Sequence, residues 1–442
     1  MPTIAAALAV NRFGLGGRPG EMTQAADDPR RWLTRQLEGP APLPPGLAGL
    51  PPASEPLGRL RAAYRDKDKA AEQEARRYGE TVYRTEVAAR LRAQVASTLP
   101  FRERLAGFWS NHFTVSRRRG DVTGLACAFE REAIRPHVAG RFRDMLGAVV
   151  RHPAMLVYLD NQSSIGPQSR EGRNRGVGLN ENLARELLEL HTLGVAGGYG
   201  QADVTELARI LTGWRVDVDG GYRFVRQAHE PGGKTLLGNA IPHAGRQEGE
   251  RALDLLAAHP STARHVASAL ARHFVAEPSP ALIDRLNRSY LDHDGDLAAV
   301  TRSLVAADEA WVPSAGRGKT PNELVVSALR ALDAGDAAYG DGRGEERILL
   351  DLRGMGQAPF DAPSPAGWPD EDAAWLTPEA LVQRMAWALW LGGRIPDADA
   401  AAALDAALGP LATAATRTAL ARAPSRQAAV AMLVAGPDFQ RR

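Results

Sequence analysis

A mostly α fold is what this 442-residue sequence predicts: one large multi-helix domain with a single small β-hairpin near residues 214–225. Three observations predict it. Apolar residues recur at three- and four-residue spacing along nearly the whole chain, strict alternation occurs once, and 44% hydrophobic content over this length can fill a large core.

Taken in order, Met1 to Val10 carries a short apolar run without a basic start and leads into Asn11-Arg12-Phe13-Gly14. It reads as the first helix of the fold and not as a secretion signal. Helical spacing then covers about 28–38, 56–75, 80–99, 101–113, 123–150 and 152–160, with a proline-rich connector from Pro40 to Pro56. It resumes over about 180–193, 202–213, 247–258, 260–274, 280–292, 296–310, 321–333, 345–355, 377–392, 412–422 and 426–435. Asp296 is placed to cap the helix that follows it. In the hairpin, Trp214, Val216 and Val218 alternate, Asp219-Gly220-Gly221 turns, and Tyr222 and Phe224 resume the alternation. Two long loops remain, and long ordered loops tend to carry function. One spans about 161–179 with Arg170, Arg173 and Arg175. The other spans about 356–375 with Pro359, Pro363, Pro365, Trp368, Pro369 and Trp375. No fixed-period repeat appears, which argues against a solenoid. The organisation is one domain, or two packed lobes of about 1–213 and 240–442 joined by residues 214–239.

Composition removes several function classes. The net charge of +2 gives no global field for nucleic acid or an acidic membrane. Cys127 is the only cysteine, which excludes an intramolecular disulfide and a thiolate metal cluster. No run approaches the ~18 apolar residues of a membrane span. The expected location is the cytoplasm. Lysine is confined to Lys67, Lys69, Lys234 and Lys319, which marks Lys234 and Lys319, because arginine does not replace a compact, titratable ammonium.

The densest chemistry lies in Asn180-Glu181-Asn182-Leu183-Ala184-Arg185-Glu186-Leu187-Leu188-Glu189-Leu190-His191-Thr192-Leu193-Gly194. Asn180 reads as the N-cap and Gly194 as the stop. At about 100° per residue, Glu181, Asn182, Arg185, Glu186 and Glu189 share one arc, and leucines with Ala184 and His191 fill the other. Glu186 and Glu189 stand one turn apart, close enough for like-charge coupling to raise one pKa into the general-acid range, or for both to ligate a divalent cation. The bland alternative is a solvated face or a buried Arg–Glu network at a helix crossing.

Other candidates are weaker. His229-Glu230-Pro231-Gly232-Gly233-Lys234-Thr235 reads as a turn after the hairpin in which Lys234 offers a point charge to an anion, and a rigid structural turn is the alternative. It is no Walker loop, because Ala228 stands where glycine is needed, and Gly318-Lys319-Thr320 fails at Pro313. No nucleotide or haem motif is present. His112 falls on the apolar stripe of Leu105, Phe108 and Trp109 and reads as a core histidine. The sharper alternative has it reach the acidic helix with Glu132 around a divalent metal. Asp160-Asn161 reads as a helix-ending turn. Arg117-Arg118-Arg119 reads as a solvated turn or an anion site. His265 and His273 read as surface positions on one helix. Residues 292–296 do not form an EF-hand, and no Gly-x-Ser-x-Gly elbow occurs. Trp368 and Trp375 either stack on a sugar ring or pin their loop to the core.

An ordered series of motifs carries a resemblance. Asn11-Arg12-Phe13-Gly14 is followed by Phe108-Trp109-Ser110-Asn111-His112-Phe113, Pro153-Ala154-Met155-Leu156 and Tyr158-Leu159-Asp160-Asn161. After the Asn-Glu-Asn helix come Leu211-Thr212-Gly213-Trp214, His229 to Thr235, Lys319-Thr320-Pro321-Asn322-Glu323, Gly367-Trp368-Pro369 and Pro437-Asp438-Phe439-Gln440. Together these resemble the bacterial domain of unknown function 1800 family from near Ile4 to the last residues. The resemblance implies a mostly helical protein and brings no established activity. It implies export signals in many relatives, from which this chain departs. At 191 relatives commonly carry an aromatic and at 110 a histidine, so neither His191 nor Ser110 is obligatory chemistry.

Two functional readings follow. The first is an enzyme whose carboxylate-rich cleft, lined by Glu181, Asn182, Arg185, Glu186 and Glu189 with His229, Lys234 and Trp368, hydrolyses or transfers a group on a polar or anionic small molecule. It works by acid–base chemistry or with a divalent metal on Glu186, Glu189, His112 and Glu132. The second is a binding or assembly module for a protein partner, in which the acidic helix is a structural polar network.

Overall fold

The computed structural model describes residues 3–40, 42–175, 178–340 and 344–442. Helices account for most of the described residues, among which four three-residue strands make two separate antiparallel hairpins. In the first, β1 (Trp214–Val216) pairs with β2 (Tyr222–Phe224) in the register Trp214 opposite Phe224, and Gly220 supplies the positive φ of the turn. The second is not anticipated by the sequence. There β3 (Lys234–Leu236) pairs with β4 (Asn239–Ile241) across Leu237-Gly238, both at positive φ. Lys234 therefore sits on a strand and not on a free turn.

Capping explains where many helices start. Asp296 accepts from the Ala299 amide and opens Leu297–Ala306, as expected. Asp68 accepts from the amides of Ala70 and Ala71, and Lys67 turns the chain at φ +53°. The long second helix thus runs Lys69–Ala96, and the break between the first two long helices falls at 67–68, not between 75 and 80. The expected run over 123–150 is interrupted by a π-turn at Glu130–Ile134 and a 3₁₀ turn at Arg135–His137. Two further π-turns occupy Ala9–Phe13 and Leu187–His191. Such insertions shift the register of a helix face by one residue and gather at functional sites.

Packing forms two large apolar clusters. One runs from Ala6 to Ala310 and includes Trp109, Phe113, Phe142 and Trp214. The other joins Leu15 and Tyr83–Leu91 of the second long helix to residues between Leu324 and Phe439. Buried ion pairs lie between the elements that carry these clusters, among them Glu21 with Arg330 (2.8 Å) and Arg135 with both Glu103 (2.7 Å) and Glu130 (2.9 Å). No helix among the described residues is long and apolar enough to cross a membrane.

Candidate functional site

A cleft of about 570 Å³ opens between segments distant in sequence, four of which supply most of its lining, with Leu15, Arg90, Gln94 and Leu190 among the remainder. The four are the Pro100–His112 helix, the Pro260–Phe274 helix, the start of the Pro321–Ala331 helix and the loop from Gln357 to Glu371.

The first helix turns its apolar residues inward because Phe101, Leu105 and Trp109 repeat at four-residue spacing, and all three are buried. His112 continues that stripe, as the sequence suggests, but its ring forms part of the cleft wall. It lies among Phe108, Trp109 and Phe113, and Nε2 donates to the His191 carbonyl at 3.1 Å. Burial holds its pKa well below the ordinary histidine value, with His265 and His191 acting in the same direction. His265 donates from Nε2 to the Leu190 carbonyl at 2.9 Å. Its Nδ1 lies 2.8 Å from where a Cβ on Gly194 would stand, so the glycine that ends the acidic helix at φ +83° also leaves room for this ring.

His273 is the second correction to the surface reading. It lies in the cleft wall against Phe108, at 5.2 Å between ring centroids, and burial holds its pKa well below the ordinary histidine value. Its Nδ1 stands 4.0 Å from Asp370 Oδ1, and Nε2 has no hydrogen-bond partner. Asp370 lies at the mouth with 45% of its side chain exposed. Burial of its inner side raises its carboxyl pKa, and Glu371 and Glu323 push the same way against Arg317 and Arg442. Glu323 behaves oppositely. Burial raises its carboxyl, but Arg442 (3.0 Å), Arg104 and the Thr320 amide (2.8 Å) outweigh this and hold it well below the usual range.

Trp368 lines the cleft, and the loop that carries it is clamped by Asn111. The Trp368 amide donates to Asn111 Oδ1 at 2.8 Å, and Asn111 Nδ2 donates to the Trp368 carbonyl at 3.0 Å. Gly367 permits this approach: at φ +81°, a Cβ there would come within 2.6 Å of the Asn111 carbonyl. Trp375 takes the pinning role, its indole donating to the Pro369 carbonyl at 2.9 Å.

The acidic helix lies elsewhere. Of its residues only Leu190 lines the cleft. Glu181 is engaged by Arg185 (3.1 Å), Gln201 (2.8 Å) and Thr205 (2.7 Å), which hold its pKa down. Asn182 is exposed. Glu186 is half-buried, and its pKa is raised by burial first and by Glu189 second; in turn it helps push Tyr158 up to about 12. Glu189 helps raise the pKa of Tyr199, after burial. Among the described residues no hydrogen bond or ion pair joins this helix to His229 or Lys234. Lys234 is buried and donates to Glu248 (2.6 Å) and to the Glu230 carbonyl (2.5 Å). Glu132 accepts from His152 (3.0 Å) and the Ala53 amide (3.0 Å). Glu186, Glu189, His112 and Glu132 do not form one donor cluster.

The remaining candidates are occupied. Arg117 pairs with Glu80 (2.9 Å), Arg118 with Asp361 (3.8 Å) and Arg119 with Asp160 (2.5 Å). Asp160 itself makes the helix-ending turn at φ +60°. Of the arginine loop, Arg170–Arg175 is helical, and the side chain of Arg175 lies outside the described residues.

The fold and the cleft define a class: a large, mostly helical protein with a cleft lined by residues from several of its scattered motifs. The chain belongs to the family described as Protein of unknown function (DUF1800), whose model matches residues 8–441. No curated protein and no solved structure matches it.

Proposed function

We propose that the protein is an enzyme working in this cleft, a hydrolase or group-transfer enzyme for a polar substrate, with His273 and Asp370 as its proton-handling pair. The observation that carries the reading is the 4.0 Å separation of His273 Nδ1 and Asp370 Oδ1. It is too long for a direct hydrogen bond and short enough for both groups to act on one ligand. In water an imidazole holds its proton more tightly than an aspartate carboxylate, about 6.5 against 3.9. Here the histidine is lowered and the carboxyl raised, so the two proton affinities are shifted toward one another, which favours proton exchange through a shared substrate.

In hydrolysis, neutral His273 takes a proton from water as the water oxygen bonds to the electrophilic carbon. Protonated Asp370 gives its proton to the departing oxygen, and return of the histidine proton to Asp370 restores both. Trp368 and Phe108 supply an apolar wall for a ring or flat face, and Arg272 a cation for an anionic group. The second reading, a non-catalytic binding or assembly module, is favoured by Glu181, whose carboxylate is satisfied within its own network.

The test is a panel of p-nitrophenyl esters, phosphates and glycosides assayed with wild type, His273→Asn, Asp370→Asn and Glu186→Gln. Turnover is expected to fall by about 10²–10⁴ in the first two variants, with melting temperatures near wild type, and to persist in the third. Turnover that survives in His273→Asn and Asp370→Asn would remove the pair from the chemistry. A panel with no turnover at all would favour the binding module.

A further inference from the structure

A second cluster lies outside the cleft, between the two hairpins and the Arg246–Ala258 helix. His229 follows β2, His243 follows β4, and Glu248 lies in the first turn of the helix. One donor atom from each lies within 4.8 Å of the other two. His229 Nε2 is 3.1 Å from Glu248 Oε1, and His243 Nδ1 is 3.0 Å from the same oxygen. Donor atoms on a tetrahedral ion with bonds of about 2.0–2.1 Å stand roughly 3.3 Å apart, so both edges are within a few tenths of an ångström of that spacing.

The hydrogen bonds fix which form of His229 is present. Its Nδ1 lies 2.8 Å from the Thr212 carbonyl, which has no proton to give, so Nδ1 carries the hydrogen. Nε2 is buried and is the ring nitrogen that faces the Glu248 carboxylate oxygen. An imidazole that donates its other N–H to a backbone carbonyl is the orientation in which ligating histidines are held. On the far side of the carboxylate, Lys234 donates to Oε2 at 2.6 Å. The amides of Ala244 (2.8 Å) and Gly245 (2.9 Å) also reach Oε1.

We propose that His229, His243 and Glu248 bind a divalent transition-metal ion of the zinc class. Two imidazole nitrogens and one carboxylate oxygen make a borderline donor set. Lys234 already offsets the carboxylate charge, so the site has little attraction for the hard ions calcium and magnesium, which depend on anionic oxygen. His243, 47% exposed, marks the open side where water completes the coordination. The ion clasps the second hairpin to the helix and is independent of the acid–base cleft.

The test uses the full chain stripped with chelator and titrated with zinc, and with cobalt(II) as a spectroscopic probe, for wild type, His243→Gln and His273→Asn. Wild type and His273→Asn should each bind one equivalent, show tetrahedral cobalt absorption and gain melting temperature. His243→Gln changes a half-exposed residue, so it should fold normally and bind at least about tenfold more weakly. Zinc uptake below one equivalent in wild type, or equal affinity in His243→Gln, would overturn the site. Loss of binding in His273→Asn with retention in His243→Gln would move the metal to the cleft and also overturn it.

Discussion

At the scale of single residues, the least comfortable group in the molecule is Lys319. Its ammonium is buried, finds no hydrogen-bond acceptor and lies 3.8 Å over the Phe439 ring. Burial, aided by Arg104, Arg384 and Arg442, pulls its pKa from the ordinary lysine value to about 7, with Glu323 opposing. Between those two values the unfolded chain binds more protons than the folded one, so this residue makes stability rise with pH over that window. Below pH 7 the lysine is charged in both states and its full cost is felt. Lys319→Met should therefore stabilise the protein most below pH 7, and the gain should shrink toward zero as pH approaches the ordinary lysine value. Denaturant midpoints measured at intervals across that range check it. A gain that stays flat or grows with pH would contradict the burial argument. The sequence marks Lys319 because lysines are scarce, and the buried environment supplies the reason that arginine does not serve there.

At the scale of elements, Asn111 clamps the Trp368 end of the loop over 356–371, whose other end is held by Tyr83 on the Pro359 carbonyl (2.8 Å) and Ser116 on the Ala362 carbonyl (2.8 Å). Asn111→Ala removes both hydrogen bonds to Trp368 and leaves the Trp368 amide and carbonyl without them. A loss of about 1–3 kcal/mol is expected, concentrated in faster amide exchange over residues 363–370 and not in the Pro100–His112 helix. Uniformly faster exchange would mean that the loop has no separate stability. This loop was legible as long and proline-rich, and long loops carry function. So were Asp296 as a cap, Gly194 as a stop and the first hairpin, because each depends on residues within a few positions. The second hairpin was not, because its turn uses Leu237 at positive φ, where asparagine or aspartate would have signalled it. His273 was missed for a related reason. His265, Ala269, Arg272 and His273 share a face adjoining the buried stripe of Val266, Leu270 and Phe274, and a sequence window cannot tell that face from solvent. The charges of the acidic helix are local in sequence, whereas the cleft gathers residues between Leu15 and Glu371 from segments far apart in the chain.

At the scale of the whole molecule, Glu323 is where the parts are tied together. It caps its own helix through the Thr320 amide, pairs with Arg104 of the Pro100–His112 helix and with Arg442 at the C-terminal end. Arg442 in turn donates to the His273 carbonyl at 2.8 Å and exchanges backbone hydrogen bonds with Arg317. One carboxylate thus joins the first apolar cluster, the second and the wall of the cleft. Glu323→Gln leaves two buried guanidiniums without their anion, and breaking a buried pair from one side costs about 3–5 kcal/mol. The sign with pH follows from the lowered pKa. The stabilisation is fully present above the ordinary glutamate value and is lost as pH falls through the lower folded value. The deficit of Glu323→Gln against wild type should therefore be constant from pH 7 down to about 5 and close steadily in more acid solution. Urea unfolding of both proteins at stepped pH measures it. A deficit that persists unchanged at the acid limit would show that shape and capping, not charge, hold this junction. If it closes, the ion network that shapes the cleft also sets the molecule's resistance to acid.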